Sequence, residues 1–206
     1  RFTSPHPADF TDELLETMVD CPAVCNHVHL PVQSGSTRIL RAMRRGYTRE
    51  GYLEIIGKIR AAARPIAVST DLIVGYPGES ERDFEDTLTL LDEVQYDSAF
   101  SFKYSPRPDT AAGLLEDDVP DGEKGRRLSL LQERQQMIQT AKNSRWVGRV
   151  VEVLVEGKAR RRMALAGRTS DNRIVNFDGP ETPPGSFAEV EITGFGPNSL
   201  KGVRVP

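Results

Sequence analysis

The sequence predicts an α/β fold built on a parallel sheet, followed by a small all-β domain. Two observations predict the first part. Strand and helix patterns alternate over about the first 110 residues, and the stretch IAVSTDLIV (66–74) is almost continuously apolar, as in a strand that is covered on both faces. A third observation predicts the second part, because after Trp146 the pattern changes to short strands separated by Gly, Pro, Asp and Asn.

Each element of the first part has its own local signal. NHVHLPV (26–32) is typical of a short strand, and Ser36 marks the start of the helix that follows it. Thr48 caps a second predicted helix, and Ser80 opens a third one. DSAFSFK (97–103) predicts the next strand. Repeated strand–helix units of this kind join parallel strands by right-handed crossovers.

A long polar helix, predicted from 121 to about 145, covers the sheet and leads into the second domain. We therefore divide the chain into domains at 1–144 and 145–206. The five short strands of the second domain predict a closed barrel of the OB type. Three or four parallel strands are too few to close a barrel of eight, so the first domain is either part of a doubly wound sheet or a truncated barrel. In both cases ligands bind beyond the carboxyl ends of the strands.

Composition narrows the classes of protein. The 206 residues are 38% apolar and 28% charged, and no apolar run approaches the 18 or so residues of a membrane span. Two cysteines do not make a disulfide framework, so we expect a cytoplasmic protein. The net charge of −3 is uneven, because residues 145–206 hold ten Lys/Arg against seven Asp/Glu. This excess is a weak indication that the second domain binds a polyanion.

The segment CPAVCNHVHLPVQSGS contains both cysteines and two of the three histidines, yet it does not predict a metal site. The spacing C-x3-C differs from the C-x2-C of zinc sites, and an iron–sulfur cluster needs three or four cysteines. We interpret Cys21 and Cys25 as buried thiols, and His27 and His29 as polar residues of a strand. The QSGS turn has a different character, because its small residues allow backbone N–H groups to approach a ligand at a helix N-terminus.

Several motifs together resemble one family. HLPVQSGS, ILRAMRRGYTRE, STDLIVGYPGESERDFEDTL and FSFKYSPRPDTAA follow one another in the order and spacing of the radical S-adenosylmethionine (radical SAM) methylthiotransferases. The tail, with GRTSDNRIVNF and GSFAEVEITGFGPNSLKG, resembles the TRAM domain of those enzymes. The resemblance implies a partial, truncated TIM-like barrel followed by an OB-like TRAM barrel that binds RNA.

The same resemblance implies several cofactors, and the cysteines that bind some of them are not found in this chain. The family uses S-adenosylmethionine and two [4Fe-4S] clusters, whose cysteines include a C-x3-C-x2-C motif that is not found in this chain. We therefore expect a C-terminal part of the enzyme, inactive by itself, with no catalytic and no metal-binding residue. We also expect self-association through the exposed barrel edge.

Members of the family that act on tRNA match this chain best, at Arg107 and at Gly167 to Phe177. The bacterial members that add a methylthio group to C2 of isopentenyladenosine beside the anticodon are the most similar. The implied partner is thus the anticodon stem-loop of a tRNA. Two alternatives stay open, namely an enzyme that modifies a ribosomal protein and a stand-alone RNA-binding module.

The resemblance also implies site residues. Gln33, Ser34 and Arg45 are candidates for the ribose and methionine ends of S-adenosylmethionine, and a guanidinium suits a carboxylate because it can pair with it bidentately. The strand that flanks the adenine carries Asp71, Val74 and Gly75. Alternatively, Arg45 is a solvated residue at a helix end, and Asp71 is a structural carboxylate.

A second set of candidates concerns RNA. Arg107 is expected to face the tRNA, and Arg168, Arg173 and Lys201 are candidates for phosphate contacts. Phe177 is a candidate for stacking on an unpaired base, with a core position as its alternative.

Overall fold

The structure is a computed structural model that describes residues 1–2, 5–106, 112–159 and 165–205. The first part is an open, three-stranded parallel sheet in the order β1-β2-β3. Its strands are β1 (His27–His29), β2 (Ala67–Val74) and β3 (Ser98–Lys103). The helices are α1 (Asp12–Asp20), α2 (Thr37–Ala42), α3 (Arg49–Ala61), α4 (Glu81–Val94) and α5 (Asp121–Ser144). Short 3-10 turns lie at Pro7–Asp9 and Ala112–Leu114.

The two faces of the sheet differ, because side chains alternate along each strand. On one face Val68, Leu72 and Val74 are buried in a core shared with the helices. On the opposite face, which we call the inner face, Asp71 of β2 lies beside Phe100 of β3. The other members of the inner face are His27, His29, Ser69, Ile73, Ser98 and Phe102. The sheet therefore presents a polar and aromatic surface on the side away from its helices.

The second part is a closed five-stranded barrel in the order β4-β5-β6-β8-β7. Its strands are β4 (Val150–Lys158), β5 (Leu165–Arg168), β6 (Ile174–Asp178), β7 (Phe187–Phe195) and β8 (Leu200–Arg204). The pair β6–β8 is parallel, and the other pairs are antiparallel. Both the α/β class of the first part and the barrel of the second part confirm the prediction from sequence.

The predicted helix starts are confirmed by their caps. The side chains of Ser36, Thr48 and Ser80 each accept a hydrogen bond from the first turn of α2, α3 and α4, respectively. The first strand is shorter than predicted and ends at His29. Pro31 has no N–H to donate, so regular pairing with β2 stops close to it.

One further difference concerns a helix. Helix α1 was not anticipated, although Thr11 caps it. No helix within the described ranges is long and apolar enough to cross a membrane.

Asp97 joins the sheet to the barrel. Its carboxylate accepts hydrogen bonds from the Val68 N–H of β2 at 3.0 Å, from Lys142 of α5 at 2.8 Å and from Arg173 of the β5–β6 turn. Asn143 adds a bond of 2.9 Å to the carbonyl of Gly196 in the β7–β8 turn. The two parts of the chain are therefore connected by buried polar contacts as well as by α5.

The QSGS turn packs against α4 without space for a side chain, and this makes a testable prediction. A Cβ on Gly35 would lie 2.4 Å from the carbonyl oxygen of Asp86, whereas a Cβ on Gly57 of α3 would meet nothing within 4 Å. We expect Gly35→Ala to lower the free energy of unfolding by about 2 kcal/mol or more, because backbone must move. Gly57→Ala, the matched control, should raise it by up to about 1 kcal/mol. Urea denaturation of both variants measures the difference, and equal stabilities would contradict the packing described.

Candidate ligand cleft and RNA-facing surface

A cleft of about 780 Å³ lies beyond the carboxyl ends of β2 and β3. It brings together the side chains of Gln33, Arg45 and Asp71, which are far apart in the sequence. Ile73 and Phe102 from the inner face form an apolar part of its wall. The cleft therefore combines a cation, an anion and an amide with apolar surface, as is typical of sites for small polar ligands.

Gln33 has a backbone conformation that few non-glycine residues adopt, with φ at 74°. Two hydrogen bonds to β2 hold it there, from its N–H to the Asp71 carbonyl and from the Ile73 N–H to its own carbonyl, both at 2.9 Å. The side-chain amide makes no hydrogen bond with any residue of the described ranges, so its polar atoms remain available to a ligand in the cleft. Backbone strain of this kind is often found at functional sites.

Arg45 and Asp71 differ in their surroundings. The half-buried guanidinium of Arg45 makes no ion pair with the described residues. The Asp71 carboxylate lies 3.3 Å from Nε2 of His29, whose Nδ1 is 2.8 Å from the Ser69 hydroxyl. The same hydroxyl is 2.9 Å from Nε2 of His27. One hydroxyl proton cannot serve both rings, so Ser69 donates to one histidine and accepts from the other.

His27 is the histidine at the amino-terminal end of this hydrogen-bonded row. Burial, followed by the nearby His29, lowers the pKa of His27 to about 4. His27 is therefore neutral at physiological pH. The row from His27 to Asp71 was missed in the sequence, where the histidines were interpreted only as polar strand residues; the alternation H-x-H within a strand was the available signal.

Three other candidates for the cofactor do not present a free side chain to the cleft. The Ser34 hydroxyl is fully buried and lies beside Thr87. The Val74 side chain points into the core under the helices. The Gly75 N–H donates to Glu79 at 2.6 Å, and a Cβ at Gly75 would collide with Lys124. These placements leave no free side chain for a ligand, so the cofactor contacts predicted for Val74 and Gly75 stay predictions that concern their backbone.

Asp83 stabilises the QSGS turn and was not singled out in the sequence. It accepts hydrogen bonds from the Ser36 hydroxyl at 2.6 Å, from Nε of Arg38 at 3.2 Å and from the Ser80 N–H at 2.9 Å. Burial would raise the pKa of Asp83, but these hydrogen bonds outweigh it and lower the pKa below its ordinary value. The carboxylate thus ties the QSGS turn to the start of α4.

The outer surface of the barrel has two sides of unlike charge. On the β4–β7 side, the exposed residues Glu152 and Glu189 lie directly opposite each other, and Glu191 follows on the same strand. On the β5–β6–β8 side, Lys201 is exposed beside Asn176, and the half-exposed Arg168 forms an ion pair with Glu156 of β4 at 3.1 Å. RNA phosphates are repelled by the first side and attracted by the second. We call the β5–β6–β8 side the basic side.

Two of the candidate RNA contacts occupy buried positions. Phe177 is fully buried in the barrel core, so its ring has no surface for a base, and the alternative of a core position is the one that the structure supports. The Arg173 side chain is only 9% exposed and binds Asp97, Asp171 and Asn143. Its donors are used between the two parts of the chain and not on a phosphate.

Arg107, the remaining RNA candidate, lies outside the described residues. Cys21 and Cys25 are free and half-buried, which corrects the prediction of buried thiols, since Cys21 caps α1 near the surface. In the described part of the chain, no three His, Cys, Asp or Glu side chains are grouped so that they could hold a metal ion.

Comparison with known proteins agrees with this geometry. Residues 2–91 match the family model of the radical SAM superfamily, and residues 144–205 match that of the TRAM domain. The chain therefore contains a radical SAM region and a TRAM domain. The five-stranded barrel is the TRAM domain, and strands β1 and β2 of the open sheet lie within the radical SAM match. As a fold, the chain is similar to the radical SAM enzyme coproporphyrinogen III oxidase from Escherichia coli, with a TM-score of 0.52 at 13% identity over 90% of this chain and 44% of that one.

Sequence relatives are more similar. The tRNA-2-methylthio-N(6)-dimethylallyladenosine synthases of Solibacter usitatus and Koribacter versatilis are each 50% identical to this radical SAM chain, over 98% and 100% of its length. The Escherichia coli protein of that name is 48% identical over 98% of the chain. The chain covers 46%, 47% and 43% of these three relatives, so it spans about half of their length.

Asp83 gives a prediction that depends on pH. Its pKa is lowered in the folded state, so its contribution to the free energy of unfolding is present above the ordinary value of 3.8 and is lost as the pH falls below that value. We expect Asp83→Asn to lower the free energy of unfolding by about 2 kcal/mol at pH 6. The difference between the free energies of the variant and the wild type should become smaller towards pH 2. Urea denaturation across this pH range measures it.

The control is Asp92→Asn, because Asp92 forms an exposed ion pair with Arg134 at 3.0 Å. An exposed pair of this kind contributes about 0–1 kcal/mol. A gap for Asp83→Asn that stays constant with pH would contradict the assignment of an ionised, hydrogen-bonded carboxylate.

Proposed function

We propose that this chain is part of an enzyme that adds a methylthio group to C2 of N6-dimethylallyladenosine beside the anticodon of tRNA, in the cytoplasm. The observation that carries the proposal is its 50% identity, over 98% of its length, to a protein with that synthase name. The matched stretch includes both the cleft and the barrel. A likeness confined to one of the two would support only a shared fold.

The cleft fits S-adenosylmethionine. Arg45 supplies an unpaired guanidinium for the carboxylate of the methionine end, and Gln33 supplies an amide for hydroxyl groups. Asp71, held by His29, supplies an acceptor beside the apolar wall of Ile73 and Phe102. When bound, S-adenosylmethionine supplies the radical and the methyl group. The residues of this chain bind and orient it and keep water from the apolar side of the cleft.

The [4Fe-4S] clusters do not fit the residues of this chain. The sequence contains only two cysteines, whereas each cluster needs three or four. We therefore place both clusters in a part of the whole protein beyond this chain and derive no step from them. By itself this chain would bind ligands without catalysing the reaction.

The basic side of the barrel is the proposed contact for the anticodon stem-loop. Lys201 and Arg168 are directed outwards there. Arg107 stays a separate proposed contact with the tRNA. Because the acidic side with Glu189 would repel phosphates, only one face of the TRAM domain suits RNA. Self-association of the chain through the exposed edge of the sheet is a further part of the proposal.

The test is the nucleoside content of tRNA in the organism that encodes the chain. Deleting the gene should abolish 2-methylthio-N6-dimethylallyladenosine, measured by mass spectrometry of digested tRNA, and the complete gene should restore it. A gene that carries Arg45→Ala should restore at least about 10-fold less of the modified nucleoside under limiting expression. The reason is that a charge-assisted hydrogen bond to the carboxylate of S-adenosylmethionine is lost.

Arg41→Ala is the control, because Arg41 is an exposed arginine on the neighbouring helix α2. It should restore the modification fully. If the nucleoside persists after deletion and a ribosomal protein loses its methylthio group instead, the tRNA assignment is wrong. If deletion changes neither the tRNA nucleoside nor the methylthio group of the ribosomal protein, a stand-alone RNA-binding module becomes the better account.

A further inference from the structure

One turn of the TRAM barrel, between β5 and β6, contacts the sheet directly. We call its residues, 169–173, the docking turn. The Ser170 hydroxyl accepts a hydrogen bond at 3.0 Å from the N–H of Asn26, the residue that precedes β1. Arg173 donates to the carboxylate of Asp97, the residue that precedes β3. The docking turn therefore lies at the amino-terminal ends of the strands, whereas the ligand cleft lies at their carboxyl ends.

Each guanidinium nitrogen of Arg173 has a partner. Its Nε donates to Asp171 at 2.7 Å, and its two terminal nitrogens donate to Asn143 of α5 and to Asp97. The central guanidinium carbon lies 5.3 Å from the ring centroid of Trp146, and the side chain is 9% exposed. Because the N–H groups of a guanidinium have a fixed planar geometry, these partners determine the direction of the docking turn as well as its position.

Asp97 connects three elements at one carboxylate. It accepts a hydrogen bond from the Val68 N–H of β2 at 3.0 Å, and it binds Lys142 of α5 at 2.8 Å in addition to Arg173. A rotation of the barrel would separate Arg173 from this carboxylate. Such a separation is unfavourable, because it leaves charges without partners at a site that is largely screened from water. Sheet, helix and barrel are therefore held in one arrangement.

The apolar cores of the two parts do not account for this arrangement. The core of the first part is formed by residues between Phe10 and Ile138, and the core of the barrel by residues between Trp146 and Leu200. No residue that the structure describes belongs to both cores. Apolar contacts are non-directional, whereas hydrogen bonds depend on angle. The polar contacts of the docking turn are thus the ones that fix an orientation.

The strand β2 separates the docking turn from the ligand cleft by a fixed distance. Val68, which binds Asp97, and Ile73, which lines the cleft, are five residues apart on this strand. At about 3.3 Å per residue of a parallel strand, the separation is roughly 17 Å. Because β2 is paired with both β1 and β3, this separation is rigid. A nucleotide that enters the cleft from an RNA held by the barrel is therefore placed at a set distance from the barrel.

We propose that Asp97 and Arg173 are positioning residues, which fix the TRAM domain so that an RNA bound to it presents one nucleotide to the cleft. The inference rests on the proposed function, since it takes tRNA as the substrate and the cleft as the reaction site. Neither residue contacts the RNA or S-adenosylmethionine, and both act through the orientation of the barrel. RNA affinity then depends on the basic side, around Lys201, and the choice of nucleotide depends on the docking turn.

The first test needs no ligand. In NMR relaxation of the 206-residue chain, the amides of the sheet and of the barrel should share one rotational correlation time, because the two parts tumble as one body. Arg173→Gln should shorten the correlation time of the barrel relative to that of the sheet, because the barrel then moves separately. Asp97→Asn should have the same effect from the other side of the contact. Thermal unfolding should show that both variants are folded.

The second test measures modification of tRNA by the complete protein. Arg173→Gln should lower kcat by about 10- to 100-fold, because a substrate misplaced by about 1 Å reacts more slowly by this order. The KM for tRNA should stay close to that of the wild type, since the basic side is unchanged. Lys201→Ala should instead raise the KM for tRNA, because it removes a phosphate contact. A contact that only stabilises the fold would not separate kcat from KM in this way.

Arg149→Gln is the matched control. Arg149 also lies over the Trp146 ring, at 5.6 Å from its centroid, but it is exposed and makes no ion pair with the described residues. This variant should keep one correlation time and the wild-type kcat. Folded Arg173→Gln and Asp97→Asn variants that tumble as one body, or that keep the wild-type kcat, would overturn the positioning role and leave the proposed function intact. Persistence of the tRNA nucleoside after deletion of the gene would contradict the proposed function, whatever the tumbling shows.

Discussion

The carboxylate of Asp97, whose side chain is 13% exposed, is the contact on which the arrangement of the whole chain depends. It binds the backbone of β2, the Lys142 ammonium of α5 and the Arg173 guanidinium of the barrel. Asp171, at 2.7 Å from Arg173, balances the second cation, so the cluster is neutral. Buried ion pairs contribute little net stability, but losing one partner costs about 3–5 kcal/mol because the other charge is left alone. Their effect here is to allow one orientation of the TRAM domain.

That orientation connects three surfaces that would otherwise be separate. The inner face of the sheet reaches the ligand cleft at one end, through Asp71, and meets the barrel at the other, where His27 and Arg168 line the same cavity. Arg168 leads from there onto the basic side of the barrel. The same strand, β2, thus buries one row of side chains under the helices and offers the other row to ligands. The alternation of a β-strand is the physical origin of this division.

Sequence patterns predicted the parts of the fold that depend on local signals. The caps at Ser36 and Thr48, the parallel sheet and the five-stranded barrel all follow from residues close together in the chain. Roles that depend on distant partners were not predictable in this way. Arg173 appeared to be a phosphate contact because its pairing with Asp97 spans 76 positions. Phe177 is a core residue because the closed barrel surrounds it, and a single strand pattern does not show which face is enclosed.

The central claim is that RNA crosses the basic side of the TRAM barrel. Photocrosslinking of a 4-thiouridine-substituted anticodon stem-loop, followed by mass spectrometry of the linked peptides, tests it directly. The account predicts crosslinks to β5 around Arg168 and to β8 around Lys201. Crosslinks confined to the acidic β4–β7 side, around Glu152 and Glu189, would contradict it.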